Sequence, residues 1–372
     1  MTEYEINTTL SVNYKIKNSP GIFNMNNLDL LYCNSDVFSN RRFLVIDEKI
    51  YKLFASEIKQ YFEHHNIYTK IVTLDSEEIS KTDSKLIELL EEIENFNLNR
   101  RSEPIICIGG GIILDIAGLA SSLYRRGIPY IRVPTTLLGI VDVSVAAKTA
   151  VNFKNRRNRL GSYYPPILSL IDKSFIYTQT LSDISSGMGE ILKMAVIKDH
   201  DLFCILEKYG SEIMHNKFNH PQSDHVIHLS IKGMIEELEN NLWEKNLKRL
   251  VDFGHTFSPI IEMRSLGTDC ELKHGQAVAL DVVFSSIISY NRNILSYDEL
   301  VRIINTSKNL DLPTAHEYFC NFSFLRESLN DATKHRNGNQ NMPIPTKIGV
   351  GSFVNDLTDD EIIKAIEVFK TI

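Results

Sequence analysis

A chain of 372 residues has room for two domains with separate cores, and 43% apolar residues is ordinary for a globular protein. A formal net charge of -7 argues against a nucleic-acid partner, which calls for a basic field, and leaves room only for a local basic pocket. Five cysteines that never pair in a CxxC read as reduced thiols of a cytoplasmic protein, and no apolar run reaches the length of a membrane span.

Residues 1–35 alternate loosely and predict an antiparallel strand or two. The run from Arg41 to Asp47 reads as a short buried strand ending in an acid, followed by a helix to about His65 and a second strand from Tyr68 to Leu74. The stretch SEEISKTDSKLIELLEEIENF reads as one amphipathic helix with an acidic first turn, which suits the helix dipole. Pro104 to Gly111 is a strand running into a glycine turn, ILDIAGLASSLYRR a helix, and YIRVPTTLL a further strand and turn. Strands alternating with helices predict a parallel α/β sheet. Beyond about residue 173 helical periodicity dominates. The expected organisation is an α/β nucleotide-binding domain over 1–172 and a mostly helical domain over 173–372.

The turn Gly109-Gly110-Gly111 lets the backbone approach a pyrophosphate at a helix N-terminus, although it is not the G-x-G-x-x-G fingerprint. Asp47 reads either as a ribose anchor or as a helix N-cap. Glu78 and Lys81 stand at helical spacing, where a solvated ion pair is the plain reading. Between residues 125 and 160 lie Arg125, Arg126, Lys148, Lys154, Arg156, Arg157 and Arg159, interleaved with Asn152, Asn155 and Asn158. This block reads as an anion pocket or as a solvated basic loop. Asp142 and Lys148 form a charged pair inside an apolar stretch, an expensive arrangement unless it is used.

Glu190, His255 and His274 look like one metal site. Each segment reads as helix, and two imidazoles with one carboxylate suit a Zn²⁺ that keeps a coordination position open for substrate. Gly254 and Gly275 are expected to give both imidazoles room for a ligand. The alternative, a surface glutamate and two packing histidines, stands beside that reading.

Taken together, GGGIILDIAG, YRRGIPYIRVPTTLLGIVDVSVAAKTAVN, RNRLGSYYPP, GMGEILK, GHTFSP and HGQAVALD resemble the sugar phosphate cyclases of the dehydroquinate synthase superfamily, from about Arg42 to the C-terminus. The resemblance implies an N-terminal NAD-binding α/β domain, a helical metal- and substrate-binding domain, a homodimer, and NAD with Zn²⁺ (or Co²⁺) as cofactors. It makes Glu190, His255 and His274 the metal ligands. It makes Asp47, Glu78, Lys81, Gly110, Gly111, Asp115, Thr135, Thr136, Thr180 and Leu181 the NAD contacts. Asp142, Lys148 and Lys193 fall on catalytic positions, and Arg126, Arg157 and Asn158 on or beside those that bind the substrate phosphate.

One departure bears on the substrate. The family's GHTFGH is Gly254 to Pro259 here, and Asp252 stands where an Asn is expected. An aspartate facing a substrate carboxylate would be costly, whereas it would accept a hydrogen bond from a neutral hydroxymethyl. That reasoning points to sedoheptulose 7-phosphate, with Asp252 and His335 at its hydroxymethyl end. Asn241 to Glu244, Asp252 and Lys334 to Gly338 resemble the valiolone-forming branch of the family more than the gadusol-forming one. The implied chemistry is transient oxidation by NAD, β-elimination of phosphate, re-reduction and aldol closure of a carbocycle. The alternatives are the gadusol-forming and dehydroquinate-forming cyclases and, from another class, a metal-dependent polyol dehydrogenase.

Overall fold

The computed structural model describes residues 3–154 and 156–372; Asn155 of the basic block lies outside them. The strands and helices run in chain order as β1 (Lys15–Asn18), β2 (Arg41–Asp47), α1 (Glu48–His64), β3 (Tyr68–Leu74), α2 (Asp83–Phe96), β4 (Ile105–Gly109), α3 (Gly111–Leu123), β5 (Tyr130–Pro134), β6 (Lys148–Phe153), β7 (Arg156–Tyr163) and β8 (Leu168–Ile171). Then come α4 (Leu181–Ile197), α5 (His200–His215), α6 (Ser223–Leu238), α7 (Ser258–Ser265), α8 (His274–Asn291), α9 (Tyr297–Asn309), α10 (Phe322–His335), β9 (Met342–Lys347), β10 (Val350–Val354) and α11 (Asp359–Phe369). The fold is an α/β N-terminal half followed by a helical C-terminal half, as expected.

Six strands form one parallel sheet in the order β1-β8-β5-β4-β2-β3. Alternation along β2 feeds two cores. Phe43 and Val45 pack with residues of α2 and α3 on one face, while Leu44 and Ile46 pack with residues of α1 on the other. A parallel strand buried on both faces reads as a continuous apolar run, as β2 does, whereas β3 at the sheet edge is only half-buried and carries Thr69, Lys70 and Thr73 within its run. The N-terminal expectation fails. Among the described residues up to 35 there is a single strand, β1, and it pairs parallel to β8 at the sheet edge, Lys15 opposite Leu168. The predicted long helix after β3 also divides: Glu78–Ser80 is a short 3-10 turn, and α2 starts at Asp83, where the Thr82 side chain accepts from the Lys85 N–H. An N-cap hydroxyl satisfies a first-turn donor and fixes the start there.

The third core is helical. Its buried residues come mainly from α4, α5, α6, α8, α9 and α11, but Leu137, Ile140, Val141, Val145 and Ala146 join them from the segment after β5. That segment, a π-type turn at Gly139–Val143 carrying Asp142, therefore delivers a charged residue of the first half into the helical half. The antiparallel hairpin of β6 and β7 stands apart from the sheet. No helix among the described residues is long and apolar enough to cross a membrane.

Candidate active site and metal centre

Helices α4 and α8 touch backbone to backbone. A Cβ on Gly189 would lie 2.1 Å from the Gly275 carbonyl oxygen, and one on Gly275 would lie 1.7 Å from that of Ser186. Only glycine fits a crossing that tight. The next residue along α4 is Glu190 and the residue before Gly275 is His274, so the crossing brings Glu190 Oε1 to 3.1 Å from His274 Nε2. Gly275 thus serves helix packing rather than space for a ligand, a correction to the expectation. Gly254 likewise sits at φ +75°, and a Cβ there would lie 2.9 Å from Val278 Cγ1. His255 is not helical either. It lies in the loop between the Leu250–Asp252 turn and α7, and its Nε2 is 3.5 Å from Glu190 Oε1. Asp281 in α8 holds that loop by accepting from the N–H groups of Phe257 (2.6 Å) and Ser258 (2.9 Å).

One ligand atom each of Glu190, His255 and His274 lies within 4.8 Å of the other two. Glu190 is almost fully buried, and its Oε1 makes no hydrogen bond. Both imidazoles are held from behind: His255 Nδ1 lies 3.1 Å from the Phe253 carbonyl and His274 Nδ1 lies 3.0 Å from Glu262 Oε2. With the proton on Nδ1 given to these acceptors, each Nε2 presents a lone pair toward Glu190. Anchored Nδ1 atoms and free Nε2 atoms are the usual arrangement around a metal. A buried acceptor without a donor is the gap a cation fills. The residues fit a Zn²⁺ ion.

The electrostatics favour a cation at Glu190 and a neutral His255. Burial opposes the His274 charge, but Glu262 and Glu190 push that imidazole up to about 9, so ligation must release its Nε2 proton. Burial works against the Glu190 charge, but Lys193, whose Nζ is 2.6 Å from Oε2, and the two imidazoles hold the carboxyl well below the usual carboxylate range. Burial pushes His255 down to about 3, so it stays neutral and able to ligate. Burial and the nearby Glu190 both push the Asp142 carboxyl up.

On the sheet side, Gly110 is the N-cap of α3 and offers it no side-chain cap, and a Cβ there would meet Thr136 Cγ2 at 3.0 Å. The Thr135 hydroxyl is buried without a hydrogen-bond partner beside this turn. Free first-turn N–H groups and an unpartnered hydroxyl fit a nucleotide phosphate. Lys81 Nζ binds Asp115 (2.6 Å) and Asn158 Oδ1 (2.7 Å), not Glu78. Glu78 accepts from Asn152 Nδ2 at 2.8 Å. The solvated Glu78–Lys81 pair is therefore absent, since the two end a 3-10 turn rather than sharing a helix face. Asp47 caps α1, its Oδ1 2.8 Å from the Lys49 N–H. Thr180 caps α4 in a capping box with Asp183, and Leu181 is exposed at its first turn.

Other expected residues are displaced. Lys148 pairs with Glu244 at 2.9 Å rather than with Asp142, and Tyr163 donates to the same glutamate. Arg157, expected at the substrate phosphate, is engaged by Glu262, while Arg126 is exposed on the turn after α3. Asp252 is not a bare charge at the cleft. Arg249 grips it from two nitrogens, at 2.6 and 3.1 Å, and Arg336 Nε stands 3.8 Å away. His335 ends α10 facing solvent, and the buried side chain there is Arg336, whose NH1 reaches Thr256 Oγ1 and the Gln340 carbonyl. Sequence reasoning missed Glu244, Glu262, Arg249, Asp281 and Arg336 as site-shaping groups. Glu244 and Arg336 stood inside segments that carry the resemblance, while for Glu262 and Asp281 the signal was the apolar sequence around them.

Residues 71–186 match the model of the 3-dehydroquinate synthase N-terminal domain and residues 187–335 that of its C-terminal domain. The chain belongs to the 3-dehydroquinate synthase family of sugar phosphate cyclases. Among its cyclase relatives, a 2-epi-5-epi-valiolone synthase of an Actinomyces species is 38% identical over 98% of this chain and 97% of its own. A demethyl-4-deoxygadusol synthase of Trichormus variabilis is 32% identical over 98% of this chain and 89% of its own. The solved 2-epi-5-epi-valiolone synthase of Streptomyces hygroscopicus subsp. jinggangensis, with NAD⁺ and Zn²⁺ bound, superposes with a TM-score of 0.93 at 38% identity over 99% of both chains. Glycerol and iron-containing alcohol dehydrogenases share the cyclase fold at 11–15% identity, which speaks to architecture alone.

Proposed function

We propose that this cyclase is a 2-epi-5-epi-valiolone synthase, converting sedoheptulose 7-phosphate to 2-epi-5-epi-valiolone with loss of phosphate. The observation that carries the reading is the buried, donor-less Glu190 oxygen facing two back-anchored imidazoles, in a chain whose full-length relatives include synthases of that name. The choice of sugar rests on that likeness and no longer on a bare aspartate, because Arg249 neutralises Asp252.

When bound, Zn²⁺ polarises the alcohol to be oxidised and NAD⁺ takes and later returns a hydride, so no net redox change results. Glu190, His255 and His274 hold the ion. Gly110, Gly111, Thr135 and Thr136 receive the nucleotide phosphates, with Asp47, Glu78, Lys81, Asp115, Thr180 and Leu181 around the rest of it. Lys193 and Lys148, fixed by Glu190 and Glu244, present cations to sugar hydroxyls and to oxyanions as they form. Asp142, with its carboxyl pushed up, exchanges a proton with the sugar. Arg126 and Asn158 serve the phosphate. Asp252, paired with Arg249, serves the hydroxymethyl end, and Arg336 takes the inward place assigned to His335. The reading includes domains over 1–172 and 173–372, a homodimer and a cytoplasmic setting.

Incubation with sedoheptulose 7-phosphate, NAD⁺ and Zn²⁺ tests it. Phosphate should appear without accumulation of NADH, and the product should have the mass of 2-epi-5-epi-valiolone. Steady NADH formation would mean a polyol dehydrogenase, and a product of demethyl-4-deoxygadusol mass would move the chain to that branch.

A further inference from the structure

The carboxylate behind His274 is tied to the other half of the molecule. Glu262 comes from α7, in the helical half, and Arg157 comes from β7, in the hairpin. Arg157 NH1 donates to Glu262 Oε2, while its Nε faces Glu78 Oε1 at 3.6 Å and makes no hydrogen bond despite being buried. Glu78 is held by Asn152 on β6, and Asn158, next to Arg157, binds Lys81. One guanidinium therefore touches a carboxylate of the metal side and a carboxylate of the nucleotide side.

The protons decide who acts on whom. A ligating His274 must keep its Nε2 lone pair free, so its proton sits on Nδ1 and needs an acceptor. Arg157 carries donors only, so its approach to 2.9 Å from Nδ1 is no bond in that tautomer. Glu262 is the acceptor, and Arg157 acts through it. A planar fork can serve two carboxylates at once, which an ammonium cannot do in the same geometry.

We infer that Glu262 and Arg157 are positioning residues that make metal binding and nucleotide binding interdependent: Glu262 orients His274, and Arg157 shares its guanidinium between Glu262 and Glu78. The inference rests on the reading of Glu190, His255 and His274 as the metal site and of Glu78 as a nucleotide contact. A nucleotide ribose that draws Glu78 away from Arg157 leaves the guanidinium wholly to Glu262, which stiffens His274. Saturating NAD⁺ should therefore tighten Zn²⁺, and by linkage Zn²⁺ should tighten NAD⁺ by the same factor.

The test is Zn²⁺ affinity of the full chain, measured by competition with a chromophoric chelator, with and without saturating NAD⁺. The native protein should show a ratio of about 5-fold or more. Glu262→Gln should weaken Zn²⁺ by about 10–100-fold, because the amide loses the charge that orients Nδ1–H. Arg157→Lys, which keeps the charge and the fold, should hold Zn²⁺ affinity within about 3-fold yet bring the NAD⁺ ratio close to one. A native ratio of one, a native ratio retained in Arg157→Lys, or unchanged affinity in Glu262→Gln would overturn the inference. His255→Ala, which touches neither residue, separates the two levels. If it binds Zn²⁺ as tightly as the native chain, the metal site itself is misread.

Discussion

The two halves of the active site treat their charges in opposite ways. On the sheet side Asp47 is spent on the first turn of α1, Lys81 on Asp115 and Asn158, and Glu78 on Asn152. Around the glycine turn the Thr135 hydroxyl and the first turn of α3 are left without partners, as is Arg157 Nε on the hairpin. On the helical side the central group is left open: Glu190 Oε1 has no donor while both imidazoles beside it are anchored. A half whose polar groups satisfy one another holds its shape without a ligand. A half with a buried orphan charge acceptor is complete only with a cation.

That contrast breaks most easily at the metal. His274→Ala should take bound zinc from about one ion per chain to near zero, and turnover to background, by elemental analysis and phosphate release. Gly275→Ala tests how the helix crossing places Glu190. With Ser186 O only 1.7 Å from the new Cβ, the helices must part, at a stability cost of more than about 3 kcal/mol and with weakened zinc. Equal melting temperatures for this variant and the native chain would show that the crossing tolerates a side chain.

Glu244 sharpens the comparison where the hairpin meets the helical half. Burial opposes its charge, but Lys148 and Arg249 hold it down at about 2, against 4.5 ordinarily. A depressed carboxyl contributes stability that is present above the unfolded value and lost as pH falls through the folded one. Native stability should thus decline between about pH 4.5 and 2, by up to about 3 kcal/mol for this group. Glu244→Gln should flatten that limb in denaturant titrations. The smallest effect belongs to the sheet side: Asp47→Ala should lower stability by about 1 kcal/mol through the lost cap, and NAD⁺ affinity measured alongside shows whether the same carboxylate also reaches the ribose.

Local physics made part of this protein readable from its residues alone. Strand β2 appeared at its true limits because a doubly buried parallel strand is an unbroken apolar run, edge strand β3 through its β-branched residues, and the glycine turn after β4 because a tight strand-to-helix turn needs bare backbone. The three candidate metal ligands could be named through the motifs GMGEILK, GHTFSP and HGQAVALD that carry the family resemblance, since their residue types alone left packing and surface roles open. What surrounds them could not. Glu262 behind His274, Asp281 under the His255 loop, Arg249 on Asp252 and Arg336 in place of His335 all meet their partners through packing between segments, and no periodicity encodes such pairings. A residue's type and spacing set what it is able to do. Whether its charge is free, shared or already neutralised depends on which side chain the tertiary fold brings within about 3 Å of it.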